Sequence, residues 1–246
     1  MSDTIVPYIL PDSVKSGLLD LAGNSDLLII GEVHGTQEVP RVVLGLLTDL
    51  AATGYGALAM EMPESERGQL LQCLTGEVAP PPLFGHSDFR DGRGNAQALS
   101  LLVQAAQMGW QILCFDVAPT TPIFAWADRD RGMSENLLGQ WEKDCPGRKV
   151  LAVCGNFHSR LVPPTEHTEF WPSFAYSVQQ ARPNLAVNSV NVVFHGGEFY
   201  NGEVRAFGNG GEPNFGDPEL RPANRLGHTI DLHLPHATAA TFLDGV

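Results

Sequence analysis

The sequence has 246 residues, 43% of them hydrophobic, which is enough for one large α/β domain or two small ones with a substantial core. Its formal charge of −13 argues against binding to nucleic acid or to an anionic membrane surface. The N-terminus lacks a basic start followed by an apolar stretch, no window holds the ~18 apolar residues that span a bilayer, and the four cysteines form no C-x-x-C pair. We therefore expect a cytoplasmic protein without a membrane partner. No linker divides residues 1–246, so we expect one domain.

Short apolar runs alternate with amphipathic segments through the first two thirds of the sequence. The runs are typical of strands buried on both faces, and the amphipathic segments carry apolar residues at helical spacing. The predicted strands are Leu27–Ile30, Ala57–Met62, Gln111–Asp116 and Lys149–Gly155. The predicted helices are Pro11–Leu21, Pro40–Thr53, Glu64–Leu74, Gln97–Met108 and Trp126–Lys143. This alternation predicts βαβ units and therefore a mainly parallel sheet.

Capping and turn residues suggest where the first elements begin and end. Asp12 and Ser13 can cap the first helix, and Gly31 is expected to end the first strand with a tight turn. If the loop after that strand is only structural, Thr36 is expected to cap the next helix.

The remaining segments are less regular. Residues 76–94 are rich in proline, glycine and charge, which predicts either a functional lid or a solvated surface loop. Ser173–Gln180 is expected to be a helix, Asn188–Phe194 a strand, and Ile230–Leu234 a short final strand at an edge of the sheet. Residues 196–216 are rich in Gly, Asn and Pro and predict a hairpin or a loop.

The predicted fold class is therefore α/β, with a mainly parallel central sheet flanked by helices and an irregular C-terminal region that adds edge strands. A G-x-G-x-x-G fingerprint is absent after every predicted strand, and the sequence contains no G-K-[ST] P-loop and no G-x-S-x-G elbow. A Rossmann cofactor, a P-loop NTPase and a serine α/β-hydrolase are thus disfavoured.

Ionisable residues follow four of the predicted strands. Glu32 and His34 follow the first, while Glu61, Asp116 and His158 lie at the ends of the others. Because the carboxyl ends of parallel strands share one edge of a sheet, these side chains are expected to lie together there. Two strands end in the same Gly-x-x-His form, in which each His alone is more often structural than catalytic. The repeated pattern favours a functional site.

Four segments within residues 25–160 carry a family resemblance. They are Gly31-Glu-x-His-Gly-Thr-x-Glu38, Glu61, Arg129-Asp-Arg-x-Met-x-Glu-Asn136 and Gly155-Asn-x-His158. Together they resemble the erythromycin esterase-like / ChaN-like / Tiki superfamily. The His-Gly-Thr-x-Glu and Arg-Asp-Arg runs are similar to erythromycin esterases, and the two Gly-x-x-His segments are similar to the ChaN and Tiki branches.

The resemblance implies one fold and three different activities. The esterase branch hydrolyses a lactone with a His base and carboxylates and needs no metal. The Tiki branch is a metal-dependent peptidase that uses its Gly-x-x-His pairs, and the ChaN branch binds haem. Since a fold does not fix a function, the residues must decide between them.

We expect a hydrolase that cleaves an ester, lactone or amide bond of a small molecule or peptide, with water as the nucleophile. His34 is expected to be the general base, held by Glu32 or Glu61. His158 is expected to act as a second acid/base or as an electrophilic stabiliser.

Further residues are candidates for substrate binding. Arg129 and Asp130 near the start of a predicted helix could bind a substrate carboxylate or oxyanion, or could form an exposed capping ion pair. Glu38, Asp116 and His86 are expected to contact substrate as well.

Two alternatives involve a bound group. A haem protein would need an axial His, Tyr, Met or Cys beside an apolar slot, and Tyr55, Tyr176 and Tyr200 lie outside any motif that we recognise. A Zn²⁺, Mn²⁺ or Co²⁺ ion could use the two histidines and the glutamates near them. No H-E-x-x-H motif is present and the esterase-like features need no metal, so we expect neither a metal nor another cofactor.

Overall fold

The computed structural model describes residues 4–85, 91–122, 125–208, 211–212, 214–223 and 227–243. Its α-helices are α1 (Asp12–Gly23), α2 (Glu38–Ala52), α3 (Arg67–Leu74), α4 (Ala96–Gln107), α5 (Trp126–Asp144) and α6 (Phe174–Ala181). Its strands are β1 (Leu27–Glu32), β2 (Tyr55–Pro63), β3 (Gln111–Asp116), β4 (Lys149–Gly155), β5 (Val187–Phe194), β6 (Glu198–Tyr200), β7 (Val204–Ala206), β8 (Glu219–Pro222) and β9 (Ile230–Leu234). The expected α/β class is confirmed.

One large sheet carries the architecture. Within the described residues, seven strands pair in the order β3-β2-β4-β1-β5-β9-β8. Every neighbouring pair is parallel except β8, which runs antiparallel to β9. The prediction of a mainly parallel sheet is confirmed, and the carboxyl ends of β1 to β4 lie side by side in the order β3-β2-β4-β1.

The sheet is covered on both faces, which explains why its central strands are apolar on both sides. In β1, Leu28 and Ile30 join the core beneath α1, α2, α3 and α4, while Leu27 and Ile29 join the core beneath α5 and α6. Alternate residues of one strand therefore face opposite layers, and a run of consecutive apolar residues is the sequence signature of this arrangement. None of the described helices is long and apolar enough to cross a membrane.

The sequence had suggested that Gly31 ends the first strand, but the structure shows that it does not. The strand continues to Glu32, and Gly31 pairs with Cys154 on one side and Asn191 on the other. A glycine is needed here because Ser159 lies close to the strand, and not because the chain turns. A Cβ atom at this position would lie 2.1 Å from the Ser159 Oγ. Glu32 is consequently held as the last residue of a paired strand.

The predicted helix caps are also wrong. Pro11 precedes α1 without a side-chain capping bond, and Asp12 lies inside the first turn. Gln37, not Thr36, precedes α2, because Thr36 forms an isolated bridge with Ala239. Backbone contacts made by the C-terminal segment therefore shape the start of α2.

Two predicted segments contain additional short helices. The predicted helix Glu64–Leu74 opens with a 3-10 turn at Glu64–Glu66 before α3 begins. A second 3-10 helix, Pro82–Phe84, lies within the 76–94 segment and buries Leu83 and Phe84. Part of that segment is therefore packed and is not a solvated loop.

The C-terminal region extends the sheet further than expected. β9 matches its predicted bounds but is not an edge strand, since β8 pairs with its outer side. The edge strand β8 escaped prediction because its four residues, Glu-Leu-Arg-Pro, show no apolar run. The predicted hairpin within residues 196–216 is confirmed as the β6–β7 pair.

Candidate functional site

The ionisable residues at the four strand ends converge because their strands are neighbours. Asp116 ends β3, Glu61 lies near the end of β2, and Glu32 ends β1. His158 follows β4, which lies between β2 and β1. The sheet order therefore brings four groups to adjacent positions at one edge of the sheet, in the order Asp116, Glu61, His158 and the Glu32–His34 pair.

His34 lies between two carboxylates. Its Nδ1 is 3.0 Å from the Glu32 Oε1 and its Nε2 is 3.5 Å from the Glu61 Oε2. Since carboxylates only accept, the arrangement suits an imidazolium that donates from both nitrogens. Burial opposes the charge, but Glu61 and Glu32 outweigh it and raise the pKa of His34 to about 10. His34 is therefore protonated at neutral pH.

Glu61 is the acid at the centre of the site. Its Oε2 accepts the Gly155 backbone N–H at 2.7 Å, and its Oε1 lies 2.7 Å from the Arg129 Nη2 and 2.8 Å from the Arg93 Nη1. Burial alone would raise the pKa of Glu61, but Arg93 and the two neighbouring histidines hold it well below its usual range. Glu61 is thus ionised at neutral pH, and the guanidinium groups of Arg93 and Arg129 lie against it.

His158 has a different set of partners. Its Nδ1 is 2.8 Å from the Asp130 Oδ1, and its Nε2 is 3.0 Å from the Arg129 Nη1 and 3.4 Å from the Glu61 Oε1. A guanidinium can only donate, so the short contact with Arg129 suits a lone pair on Nε2 and a proton on Nδ1 that is donated to Asp130. The second oxygen of Asp130 accepts the Phe174 N–H at 2.6 Å, which fixes the carboxylate. His158 is thus oriented by a buried acid.

Arg129 does not form an exposed capping pair with Asp130. Its Nε and Nη2 lie 3.0 and 2.8 Å from the two oxygens of Asp116, a bidentate arrangement that fixes the guanidinium plane. Asp130 is fully buried and faces His158, and no side chain caps the start of α5. The capping alternative is wrong, because Arg129 contacts Asp116 and Glu61, and Asp130 is buried against His158.

Arg93 and Asp91 belong to the site although no sequence pattern had predicted a role for them. The Arg93 Nη1 lies 2.8 Å from both Glu61 and Asp116, and its Nε donates to Asp91 at 2.8 Å. The acid and the arginine flank Gly92, whose positive φ of 81° turns the chain back. An acid–Gly–Arg triplet in a long polar segment was the signal available in the sequence.

These groups line a cavity of about 440 Å³, within the range of small-molecule sites. Trp126 stacks on the His158 ring, with centroids 4.6 Å apart and planes 9° apart, and closes one side. The lining residues are Glu32, Val33, His34, Glu61, Asp91, Arg93, Trp126, Arg129, Gly155, Asn156, Phe157, His158, Phe199 and Asn201. Cavities of about 420 and 390 Å³ lie at the opposite end of the strands, away from both histidines.

Some predicted site residues lie elsewhere. Glu38 does not line the cavity, because its Oε2 accepts the Thr238 N–H at 2.9 Å and so ties α2 to the C-terminal segment. Asp116 and Asp130 do not line the cavity either. Asp116 contacts Arg129 and Asp130 contacts His158, and these two partners do line it. His86 lies outside the described residues.

The side chains present fit neither a divalent ion nor haem well. Among the described residues, no group of three or more His, Cys, Asp or Glu side chains is placed to hold a metal ion. Two guanidinium groups already contact the Glu61 Oε1, where a cation would have to compete with them. The described lining includes no Tyr, Met or Cys, and both nitrogens of each histidine already face a partner, so no free axial ligand for haem is offered.

The sequence matches no family model and no curated protein. Solved structures with the same fold do match. A Bacillus cereus protein from structural genomics is 12% identical, with a TM-score of 0.66 over 96% of this chain and 95% of that one. A succinoglycan biosynthesis protein is 10% identical, with a TM-score of 0.61 over 94% and 95%. The type III effector HopBA1 is 14% identical, with a TM-score of 0.56 over 96% and 99%.

ChaN of Campylobacter jejuni, solved with cofacially bound haem, also matches. It is 11% identical, with a TM-score of 0.48 over 88% of this chain and 90% of that one. The likeness to the first three structures shows a common fold, and at identities this low the activity has to be argued from the residues of the site.

Proposed function

We propose that this chain is a hydrolase that adds water to an ester, lactone or amide carbonyl, with His158 as the general base and His34 as a charged hydrogen-bond donor. The observation that carries the proposal is the contrast between two histidines in one cavity. One has a nitrogen in short contact with the Arg129 guanidinium and a buried acid behind the other nitrogen, and the second histidine is held between two carboxylates.

His158 has the partners that a general base requires. Asp130 accepts from Nδ1 and so keeps the lone pair on Nε2, the nitrogen that would take a proton from water. The Arg129 Nη1 occupies that lone pair in the free protein at 3.0 Å. In our proposal the attacking water takes this position, while Asp116 retains the rest of the guanidinium.

His34 suits the opposite role. An imidazolium with a pKa of about 10 is a poor base at neutral pH, although the sequence alone had suggested it for that role. Its Nε2 is 3.5 Å from the Glu61 Oε2, longer than an ordinary hydrogen bond, so in our proposal this N–H donates to a substrate oxygen while Glu32 holds the ring. Negative charge that develops on the carbonyl oxygen would be stabilised there.

The reaction then balances without a covalent intermediate. Water attacks the carbonyl carbon, and its proton moves to the His158 Nε2. The tetrahedral oxyanion is held by the His34 N–H and collapses as the carbon–oxygen or carbon–nitrogen bond breaks. The leaving group receives the proton from His158, which yields an acid and an alcohol or amine and restores the neutral base.

The test is a panel of esters, lactones and peptides assayed with wild type, His158→Gln and His34→Gln. The exposed His236 provides His236→Gln as a matched control that keeps the wild-type rate. We expect kcat/KM to fall by about 10²–10⁴ in His158→Gln and by a similar factor in His34→Gln. Full activity of either folded variant, confirmed by circular dichroism, would remove that residue from the mechanism.

We further propose that this chemistry needs no metal ion. The proposal is supported by the two guanidinium groups that surround Glu61, because they supply positive charge where a metal would otherwise lie. Elemental analysis of protein purified without a nickel column, followed by assay after chelation, tests it. One equivalent of a transition metal with chelator-sensitive activity, restored by Mn²⁺, Co²⁺ or Zn²⁺, would favour a metallopeptidase mechanism instead.

A further inference from the structure

The β6–β7 hairpin forms a wall of the cavity that the catalytic proposal does not use. Phe199 on β6 and Asn201 in the turn both line the cavity. The Phe199 ring packs on Phe207, with centroids 4.7 Å apart, and Phe207 packs against the core. The aromatic wall is therefore supported from behind.

The hairpin is fixed relative to the reacting groups. The Tyr200 N–H donates to the Gly35 carbonyl at 2.9 Å, and Gly35 follows His34 directly. The Glu198 N–H donates to the Ala237 carbonyl at 2.9 Å, which holds the other end of the strand. These backbone bonds hold the β6 backbone beside the loop that carries His34.

The charges in the cavity are already balanced by one another. With His34 protonated, the lining holds three carboxylates and three cations, which are Glu32, Glu61, Asp91, His34, Arg93 and Arg129. The ion pairs already described join these groups, so a charged substrate group would have to displace one of them. A neutral substrate avoids that cost.

The rest of the lining is apolar or amide. In the described part of the chain, the side-chain amides of Asn156 and Asn201 make no hydrogen bond to protein. Each offers both a donor and an acceptor beside the aromatic rings of Phe157 and Phe199. Aromatic faces with a few unused polar groups recognise planar ligands that carry hydrogen-bonding substituents.

We infer that Phe199 and Asn201 determine specificity, and that they take a neutral planar group bearing a hydrogen-bonding substituent, attached next to the scissile bond. The inference rests on the proposed hydrolytic function of the same cavity. Phe199 would stack on the planar group, and the Asn201 amide would bond to its substituent.

The test compares kcat/KM for methyl acetate, methyl benzoate, methyl 4-hydroxybenzoate and the negatively charged 4-carboxybenzoate methyl ester. We expect the hydroxybenzoate to be the best substrate and the charged ester the poorest. Phe199→Leu should lower kcat/KM for the two neutral aromatic esters by about three- to tenfold more than for methyl acetate. Asn201→Leu should remove only the advantage of the hydroxyl group, again about three- to tenfold.

Val204→Ala is the matched control, because Val204 lies on the same hairpin, is 56% exposed and does not line the cavity. It should behave as wild type on all four esters. If Phe199→Leu and Asn201→Leu show the same substrate preference as this control, the hairpin does not determine specificity and the inference is wrong.

Binding of ketones that cannot be hydrolysed separates this inference from the proposed function. Calorimetry with 4-hydroxyacetophenone should show binding to wild type and Val204→Ala that weakens about three- to tenfold in Phe199→Leu. If no ester, lactone or amide is cleaved but this pattern appears, the hydrolase proposal fails and the hairpin site stands. Equal ketone binding in all variants overturns the hairpin site whatever the turnover.

Discussion

Two histidines in the same Gly-x-x-His setting differ because of the groups that their nitrogens face. His34 faces two carboxylates, whereas His158 faces the Asp130 carboxylate on one side and, on the other, the Arg129 guanidinium at 3.0 Å with the Glu61 carboxylate farther away at 3.4 Å. A proton on the second nitrogen is thus stabilised by a carboxylate in His34, whereas in His158 it would meet the guanidinium first. In our proposal this contrast lets one side chain type provide both an acid and a base within one cavity.

Asp130→Asn tests the orientation of His158. An amide can donate to Nδ1, so the imidazole proton would move to Nε2 and the lone pair needed for the base would be lost. We expect kcat/KM to fall by about 10²–10⁴, with little change in KM, in steady-state assays on a substrate from the ester and lactone panel.

Asp128→Asn is the control for that variant, since Asp128 lies on the same helix and pairs with the exposed Arg131. It should retain full activity. Equal rates in Asp130→Asn and Asp128→Asn would mean that the buried acid is structural and that His158 needs no orienting partner.

The pKa of His34 predicts a specific dependence on pH. The folded protein holds this proton to about pH 10, against about 6.5 in an unfolded chain. A raised pKa contributes stability that is fully present below pH 6.5 and is lost as the pH rises toward 10. Activity that requires the imidazolium should fall over the upper end of that range.

The measurement is an NMR titration of the imidazole carbon-bound protons, with His34→Gln used to assign the resonance. Urea unfolding at pH 7 and pH 10 should show a larger loss of stability in wild type than in His34→Gln. A His34 midpoint near 6.5, or identical losses in the two proteins, would contradict the assigned charge state.

At the scale of elements, three backbone segments cross next to the site. Gly35 follows His34, Gly92 precedes Arg93, and Tyr200 ends β6, and their backbones touch. A Cβ at Gly92 would lie 2.7 Å from both the Gly35 Cα and the Tyr200 carbonyl oxygen. The two glycines therefore let His34, Arg93 and the hairpin wall approach one point.

Gly92→Ala should disrupt this crossing. Gly76 has a similar positive φ, 78° against 81°, but no atom lies within 4 Å of its missing Cβ. Gly76→Ala therefore measures the backbone penalty alone, and the difference between the variants measures the crowding. We expect Gly92→Ala to be less stable by a further ~1–3 kcal/mol in urea unfolding, and to lose activity through displacement of Arg93. Equal stability and activity of the two variants would mean that the backbones of Gly35 and Tyr200 do not crowd a side chain at position 92.

The elements that the sequence predicted well are those with a local signal. β3 and β4 have their predicted bounds because a run of consecutive buried residues is visible in any short window. β8 was missed because an edge strand needs no such run, and its Glu-Leu-Arg-Pro sequence gains its partner only from β9.

The site was predictable only where its residues follow strands. Glu32, Glu61, Asp116 and His158 share an edge because parallel strands do. Arg93 could not be found in this way, since its contacts with Glu61 and Asp116 depend on how a loop folds back in space. The pairing of Asp130 with His158 likewise depends on the rotation of α5, which the packing of Met133 and Leu137 against the sheet determines.

At the scale of the whole molecule, the sheet joins segments that are far apart in the sequence. β5, near residue 190, pairs with β1, near residue 30, and then with β9, near residue 230. The hairpin wall and the His34 loop are both fixed to this late part of the chain. Folding of the C-terminal region and assembly of the site are therefore expected to be coupled.

Leu232→Ala tests whether the chain unfolds as one unit. Leu232 is fully buried in β9, and loss of its side chain should cost about 2–5 kcal/mol. Trp110 is buried directly before β3, which lies at the opposite side of the sheet from β9. If residues 1–246 form one domain, tryptophan fluorescence, far-UV circular dichroism and activity should all shift to the same lower urea midpoint. Val204→Ala, exposed on the hairpin, should shift none of them. A tryptophan transition that stays at its wild-type midpoint while activity is lost earlier would show that the C-terminal strands unfold separately.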